Sequence, residues 1–256
     1  MRRILLIATL FGLAVAGPAT SAGFLSDAQK PDMIQILPPS PAEGSPTDLA
    51  DRAIFRSTRS LKGSPRWLLA KNDVAYATAD LLRDFSCAVG VTLTSLNAPR
   101  LTALIDRMDV DLFTAVNAPK VKYGRKRPYQ VAAGDICVEE QRESLKHNAD
   151  YPSGHAALSW ATGLILAELK PDRATQVLTR AEAFGASRVV CGVHNASSVD
   201  AGRLAATALL ATLHGQAAFR ADVDGARAEL AALKAVPPPN AEICAAETSV
   251  TSQAAW

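Results

Sequence analysis

From Thr47 onward the apolar residues of this chain recur every three or four positions, and no stretch keeps the alternation of a half-buried strand. "TDLADRAIFRSTRSL" sets Leu49, Ile54 and Leu61 on a polar background. "SPRWLLAKNDVAYATADLLRDF" opens on a Ser-Pro start signal and reads as one helix, its apolar face made by Leu68, Leu69, Ala75, Leu81 and Leu82. In "APRLTALIDRMDVDLFTAVNAPK", Leu101, Leu104, Ile105, Met108, Leu112 and Val116 fall at helical spacing. After an irregular stretch from Tyr123 to Tyr151 come "SGHAALSWATGLILAELK", closed by Pro171, and "PDRATQVLTRAEAFGASRVV", with that proline in its first turn. "SSVDAGRLAATALLATLHG", ended by Gly215, and the more polar "QAAFRADVDGARAELAALKA" complete the series. The Ala-rich composition suits close helix packing. The pattern predicts an all-α fold, a single helical-bundle domain of about seven helices over residues 47–236.

The two ends read differently. Residues 1–22 combine Arg2 and Arg3, an apolar run from Ile4 and small residues at Thr20 and Ala22, the layout of a secretory signal peptide cleaved after Ala22. An uncleaved anchor helix is the competing reading, opposed by the Gly17-Pro18 break and the shortness of the run. Residues 23–46, with "LPPSPAEGSP", form a Pro-rich N-terminal arm that either lies extended on the domain or leads in without order. "PPPN" ends the last helix and starts a C-terminal tail over residues 237–256.

Charge narrows the partners. Removing residues 1–22 leaves 25 basic against 25 acidic residues, so the mature chain is formally neutral and gives no support for nucleic-acid binding. No later segment is apolar enough to span a bilayer, so no membrane association is expected after signal cleavage. Four cysteines, Cys87, Cys137, Cys191 and Cys244, fit two disulfides in an exported chain. Their wide spacing lacks the signature of a zinc site, and no metal is expected.

Three stretches carry chemistry. In "KVKYGRKRP", Lys120 and Arg127 are seven apart: a helix would project both from one face, whereas a loop would leave their meeting to the rest of the fold. A solvated basic patch explains that stretch alone equally well. In "YPSGHAALSWA", Pro-Ser-Gly ahead of a helix presents backbone N–H groups at a positive helix end, an anion cradle to which Ser153 adds a hydroxyl, Gly154 close backbone approach and His155 an imidazole. In "SRVVCGVHNASSVDAGR", Arg188 and His194 flank a glycine turn, and on their own they are weak evidence. His147 and His214 read as structural or solvent-facing, and Trp160 as core.

Taken in order, K-x6-R-P, P-S-G-H and S-R-x5-H resemble the type 2 phosphatidic acid phosphatase superfamily, which includes vanadium haloperoxidases and bacterial class A nonspecific acid phosphatases. The similarity to the class A acid phosphatases runs through nearly the whole mature chain, with "DYPSGHAALSWATGLILAE" standing where that family's pattern has SYPSGH. The resemblance implies an exported, periplasmic or secreted hydrolase of small-molecule phosphate monoesters that needs no cofactor; self-association into a homo-oligomer is compatible with it. It implies that Lys120, Arg127 and Arg188, with Ser153 and the Gly154 backbone, hold the phosphoryl oxygens. His194 would attack phosphorus and His155 protonate the leaving alcohol. Three fixed cations suit a transferring phosphoryl group, and imidazole serves as nucleophile when neutral and as acid when charged. Since the second and third motifs must meet at such a site, Cys137 is expected to pair with Cys191, leaving Cys87 to staple Cys244 of the tail.

One position departs from the pattern. The family's third motif continues H-x3-D, its aspartate orienting the nucleophilic histidine, but this chain has Ser198 there and Asp200 two residues later. The expectation is a slowed enzyme in which Ser198 Oγ or a water accepts the imidazole N–H, with Asp200 less well placed to help. Ser198→Asp would then raise kcat. The rival readings are a phosphate-binding pseudo-enzyme and a vanadate-dependent haloperoxidase; a lipid phosphatase would need transmembrane helices that the sequence lacks.

Overall fold

Serine followed by proline starts two of the early helices. Ser45 accepts the Asp48 N–H ahead of Pro46, and Ser64 accepts the Trp67 N–H ahead of Pro65. The computed structural model describes residues 22–233 and 240–252. Through them the chain forms α1 (Met33–Ile36), α2 (Pro46–Thr58), α3 (Pro65–Asn72), α4 (Thr78–Val89), α5 (Pro99–Tyr123), α6 (Pro128–Val131), α7 (Arg142–Leu145), α8 (Gly154–Leu169), α9 (Ala174–Val190), α10 (Ala196–Leu213), α11 (Ala217–Ala232) and α12 (Ala241–Thr251). No strand occurs among the described residues, as the periodicity predicts. The signal-peptide reading falls on residues 1–21, outside the described ones except for Ala22, and so do residues 234–239, which hold most of "PPPN".

α8 is the central element, with Ala157, Ala161, Ile165 and Leu166 buried, and it packs against α9 and α10. Small residues set that closeness. A Cβ on Gly163 would lie 2.5 Å from the Ala181 Cβ, and one on Gly202 would lie 2.4 Å from the Ser153 carbonyl oxygen. Alanine at either position would push α9 or α10 away. The six apolar positions predicted for α5 are all buried, each large side chain contributing about 1.5–3 kcal/mol on burial.

The segment read as one helix from Ser64 to Phe85 is two. α3 stops at Asn72, and α4 does not start until Thr78. The cause is Asp73, completely buried, which takes both ends of the Arg180 guanidinium (2.7 and 3.1 Å) and the Ser187 hydroxyl (2.6 Å) from α9. The break puts Ala75 at the surface, and Leu68 is exposed on α3. Leu49, expected on the inner face of α2, is exposed as well. This split, the tail helix α12 and the four-residue helices α1, α6 and α7 raise the helix number among the described residues from the seven that periodicity suggests to twelve.

Of the two readings of the arm, residues 23–46 lie ordered on the domain, though not extended throughout, since they include α1 and a turn of 3-10 helix at Asp27–Gln29. Leu25, Met33 and Leu37 are buried, and the Phe24 N–H donates to Asp111 Oδ2 at 2.6 Å. Tyr151, just before the second motif, donates its hydroxyl to the Pro38 carbonyl at 2.6 Å. Both expected disulfides are present, Cys137–Cys191 beside the third motif and Cys87–Cys244 fastening α12 to α4.

Candidate active site

Each motif residue stands at an element end, where backbone changes direction. α5 is ended by Gly124 in the left-handed conformation (φ 53°), so Lys120 lies in its last turn. Lys120 and Arg127 are therefore not on one helix: the turn between them, and the extended backbone that Pro128 favours at Arg127, brings them together. Lys120 Nζ donates to the Ala149 carbonyl (2.5 Å). Arg127 is locked by donating Nε to the Leu145 and Asn148 carbonyls (3.0 and 2.8 Å) and Nη1 to the Val193 carbonyl (2.7 Å).

The second motif opens α8. Ser153 is its N-cap, with Oγ accepting the Ala156 N–H, and it is fully buried without lining the cavity described below. Its hydroxyl caps the helix at whose start the phosphate-donor role was expected. Gly154 and His155 follow in the first turn. His155 Nε2 lies 3.2 Å from the Val74 carbonyl, which can only accept, so Nε2 carries a proton and Nδ1 is left for other work. The Tyr76 ring covers the imidazole at a centroid distance of 3.8 Å. Both partners come from the break between α3 and α4.

In the third motif, Arg188 lies in the last turn of α9, and Gly192 (φ 81°) turns the chain so that the Val193 and His194 N–H groups both return to the Arg188 carbonyl. Arg188 is buried, yet its Nε and Nη1 find no acceptor among the described residues. His194 Nδ1 is 2.8 Å from the Asp150 carbonyl and 2.9 Å from Asp150 Oδ1. Both are acceptors, so Nδ1 carries the proton. The Nε2 lone pair then accepts from Arg127 Nη1 at 3.1 Å.

Lys120, Arg127, Gly154, His155, Arg188 and His194 line one cavity of about 420 Å³. Its outer wall is more apolar, with Tyr76, Leu112, Phe113 and Leu145. The charges inside repel one another. Burial, then Arg127, pulls Lys120 down to about 7 and Arg188 down to about 9. Burial and Arg127 likewise hold His194 at about 3, against the pull of Asp150. Burial, then Arg188 and His194, keeps His155 well below the ordinary histidine range. Cations that depress one another in a buried pocket mark a site of positive potential, which a multiply charged anion relieves.

Ser198 does not take the place expected of it, and Asp200 stands away from His194. α10 begins only at Ala196, so His194 lies outside the helix and an i, i+4 relation does not aim Ser198 at it. Ser198 Oγ instead donates to Asp150 Oδ2 at 2.5 Å. The Asp200 side chain is 73% exposed and pairs with Arg203. The sequence reading missed Asp150, together with Asn195 and Arg125 that hold it and Tyr76 that covers His155. One signal was available for Asp150: it replaces the serine of SYPSGH, while Ser198 replaces the aspartate of H-x3-D, and the two departures are reciprocal.

Comparison with known proteins places the chain in a family. Residues 102–221, which hold all three motifs, match the PAP2 superfamily. An acid phosphatase of Zymomonas mobilis subsp. mobilis is 40% identical, with 90% of each chain covered. Non-specific acid phosphatases of Providencia stuartii (35% identical; 82% of this chain, 86% of the other) and Salmonella typhimurium (33%; 76% and 78%) are similar over most of their lengths. The chain belongs to the PAP2 superfamily and, within it, to the family of these acid phosphatases.

Proposed function

We propose that this protein hydrolyses small-molecule phosphate monoesters by way of a phosphohistidine at His194. The observation that carries the reading is Arg188, a buried guanidinium with two unpartnered donors in a cavity it shares with Arg127, Lys120 and two histidines. The His194 Nε2 lone pair attacks phosphorus, the bond from phosphorus to the ester oxygen breaks, and His155 Nδ1 gives its proton to that oxygen as the alcohol leaves. His155, now neutral, takes a proton from water. The hydroxide attacks phosphorus, the P–N bond breaks, and orthophosphate leaves with both histidines restored. Arg127, Arg188, Lys120 and the N–H groups at the start of α8 offset the charge on the phosphoryl oxygens throughout. A bound dianion opposes the cations that depress His155, which makes the protonated acid available in the complex at mildly acidic pH.

Export fits the same reading: residues 1–22 have the layout of a signal peptide, and two disulfides suit an oxidising compartment. No described helix is long and apolar enough to cross a membrane. The slowed-enzyme and pseudo-enzyme readings rested on Ser198 facing His194, and Ser198 faces Asp150 instead. The test is hydrolysis of p-nitrophenyl phosphate across pH 4–8, with rapid acid-free quenching to trap labelled phosphate. Turnover with label on His194 is expected. Undiminished turnover by His194→Ala would overturn the reading.

A further inference from the structure

We propose that Asp150 is the positioning residue for the His194 nucleophile, and that Asp150 and Ser198 have exchanged the places of carboxylate and hydroxyl found in the family's pattern. The proposal rests on the reading of His194 as nucleophile.

Three observations carry it. The first is contact: Asp150 Oδ1 is 2.9 Å from His194 Nδ1, and the Asp150 carbonyl is 2.8 Å away, so one residue fixes the tautomer twice. Phosphorylation at Nε2 turns the imidazole into a cation whose Nδ1–H cannot be lost to solvent, and a carboxylate against that N–H stabilises it.

The second is how the carboxylate is held. Asp150 is fully buried, where an unpaired charge would be very costly. Oδ1 also accepts the Asn195 N–H (3.1 Å); Oδ2 accepts Asn195 Nδ2 (2.8 Å) and Ser198 Oγ (2.5 Å), with Arg125 Nη1 at 3.5 Å. Against the upward push of burial, His194, then Arg125 and the Ser198 hydroxyl, hold the carboxyl at about 2, on the ionised side. The third observation is space. Ser198 is fully buried with its hydroxyl already against Oδ2, and α10 is tied to the second motif by the Ser153 N–H donating to the Ser198 carbonyl (2.8 Å). A carboxylate at position 198 would press on that of Asp150, and two such groups in contact cannot both stay ionised. The site takes one acid, from either side.

This reverses the expectation that Ser198→Asp gains activity. The experiment measures kcat, KM and vanadate inhibition for Asp150→Asn, Asp150→Ser, Ser198→Asp and the double variant Asp150→Ser with Ser198→Asp. Asp150→Asn keeps a carbonyl oxygen but loses the charge, and kcat should fall about a hundredfold to ten-thousandfold, while vanadate inhibition shifts by less than about tenfold. Ser198→Asp alone should lower kcat, and the double variant should recover at least tenfold over Asp150→Ser. A residue that only braced the loop would instead weaken vanadate binding with kcat and give no such rescue. In wild type, the His194 imidazole should show a low-field Nδ1–H proton resonance at pH 6. An Nε2–H tautomer there, or wild-type kcat in Asp150→Asn, would overturn the proposal even if no variant but that one folds. If His194→Ala remains active, it is the underlying reading of the nucleophile that fails.

Discussion

Asp73 and Asp150 are both fully buried, and each gathers an arginine and a serine: Arg180 and Ser187 around Asp73, Arg125 and Ser198 around Asp150. Asp73 sits where α3 gives way to irregular chain, and Asp150 within the irregular chain that leads into α8. They differ in the partner that receives the charge. Asp73 faces a guanidinium that never titrates, in a two-point pair at 2.7 and 3.1 Å, with Glu247 of the disulfide-fastened tail at 3.4 Å on the same arginine. Asp150 faces an imidazole that is neutral at rest and that, in the proposed mechanism, becomes charged when phosphorylated. On that mechanism the same ingredients make a brace in one place and a reactive pair in the other, and the deciding quantity is whether the partner's charge changes during the reaction.

Asp73→Asn is the strongest way to break this comparison. It takes the two-point carboxylate away from the buried Arg180 cation, leaving Glu247 at 3.4 Å and the Asp84 carbonyl at 3.3 Å, and breaking such a pair costs about 3–5 kcal/mol. A fall in Tm on the order of 10 °C is expected by calorimetry, with kcat per folded molecule within about tenfold of wild type. Asp150→Asn should do the opposite. Arg125 keeps Asp51 at 2.8 Å and Asp48 at 3.5 Å, so no cation is orphaned, and Tm should fall less than in Asp73→Asn while kcat collapses. A catalytically dead but stable Asp73→Asn would erase the distinction.

Legibility follows the same divide. The three motifs were readable because each is local: a cap, a turn or a helix end written within a few residues. The α5 face was readable because burial there obeys helical period. Asp73 was not, since the charge that stops α3 lies on α9, 107 residues away, and nothing near "KNDVAYA" announces it. Asp150 was half-visible. Its substitution stood in the quoted motif, but only the fold shows that position 150 and position 198 touch, 48 residues apart.

Smaller effects sharpen the picture at the cavity. Arg188→Ala removes the donors that have no other partner, and inhibition by orthophosphate should weaken by about ten- to a hundredfold, the worth of one or two charged hydrogen bonds. An unchanged inhibition constant would place the phosphate elsewhere. Lys120, pulled down to about 7, loses its charge as pH rises through that value, so kcat/KM should decline on the alkaline side. Lys120→Arg keeps the charge, and its profile should fall off less steeply above pH 7 whatever its absolute rate; equally steep profiles would assign the limb to another group. The smallest effect belongs to Asp200→Asn, expected within about twofold in kcat because that carboxylate is solvent-facing and pairs with Arg203. A large loss there would make Asp200, and not Asp150, the group that acts on His194.

The 2.5 Å contact between Ser198 and Asp150 also constrains how such a chain can arise. Passing from one arrangement to the other by single substitutions leads through an intermediate with two acids in a space for one, or with none. Either step is a loss on its own, and the second change is favourable only after the first. If Asp150 positions His194 as proposed, the two positions form an epistatic pair, and a motif search that demands aspartate four places after the histidine would discard this chain as a decayed one.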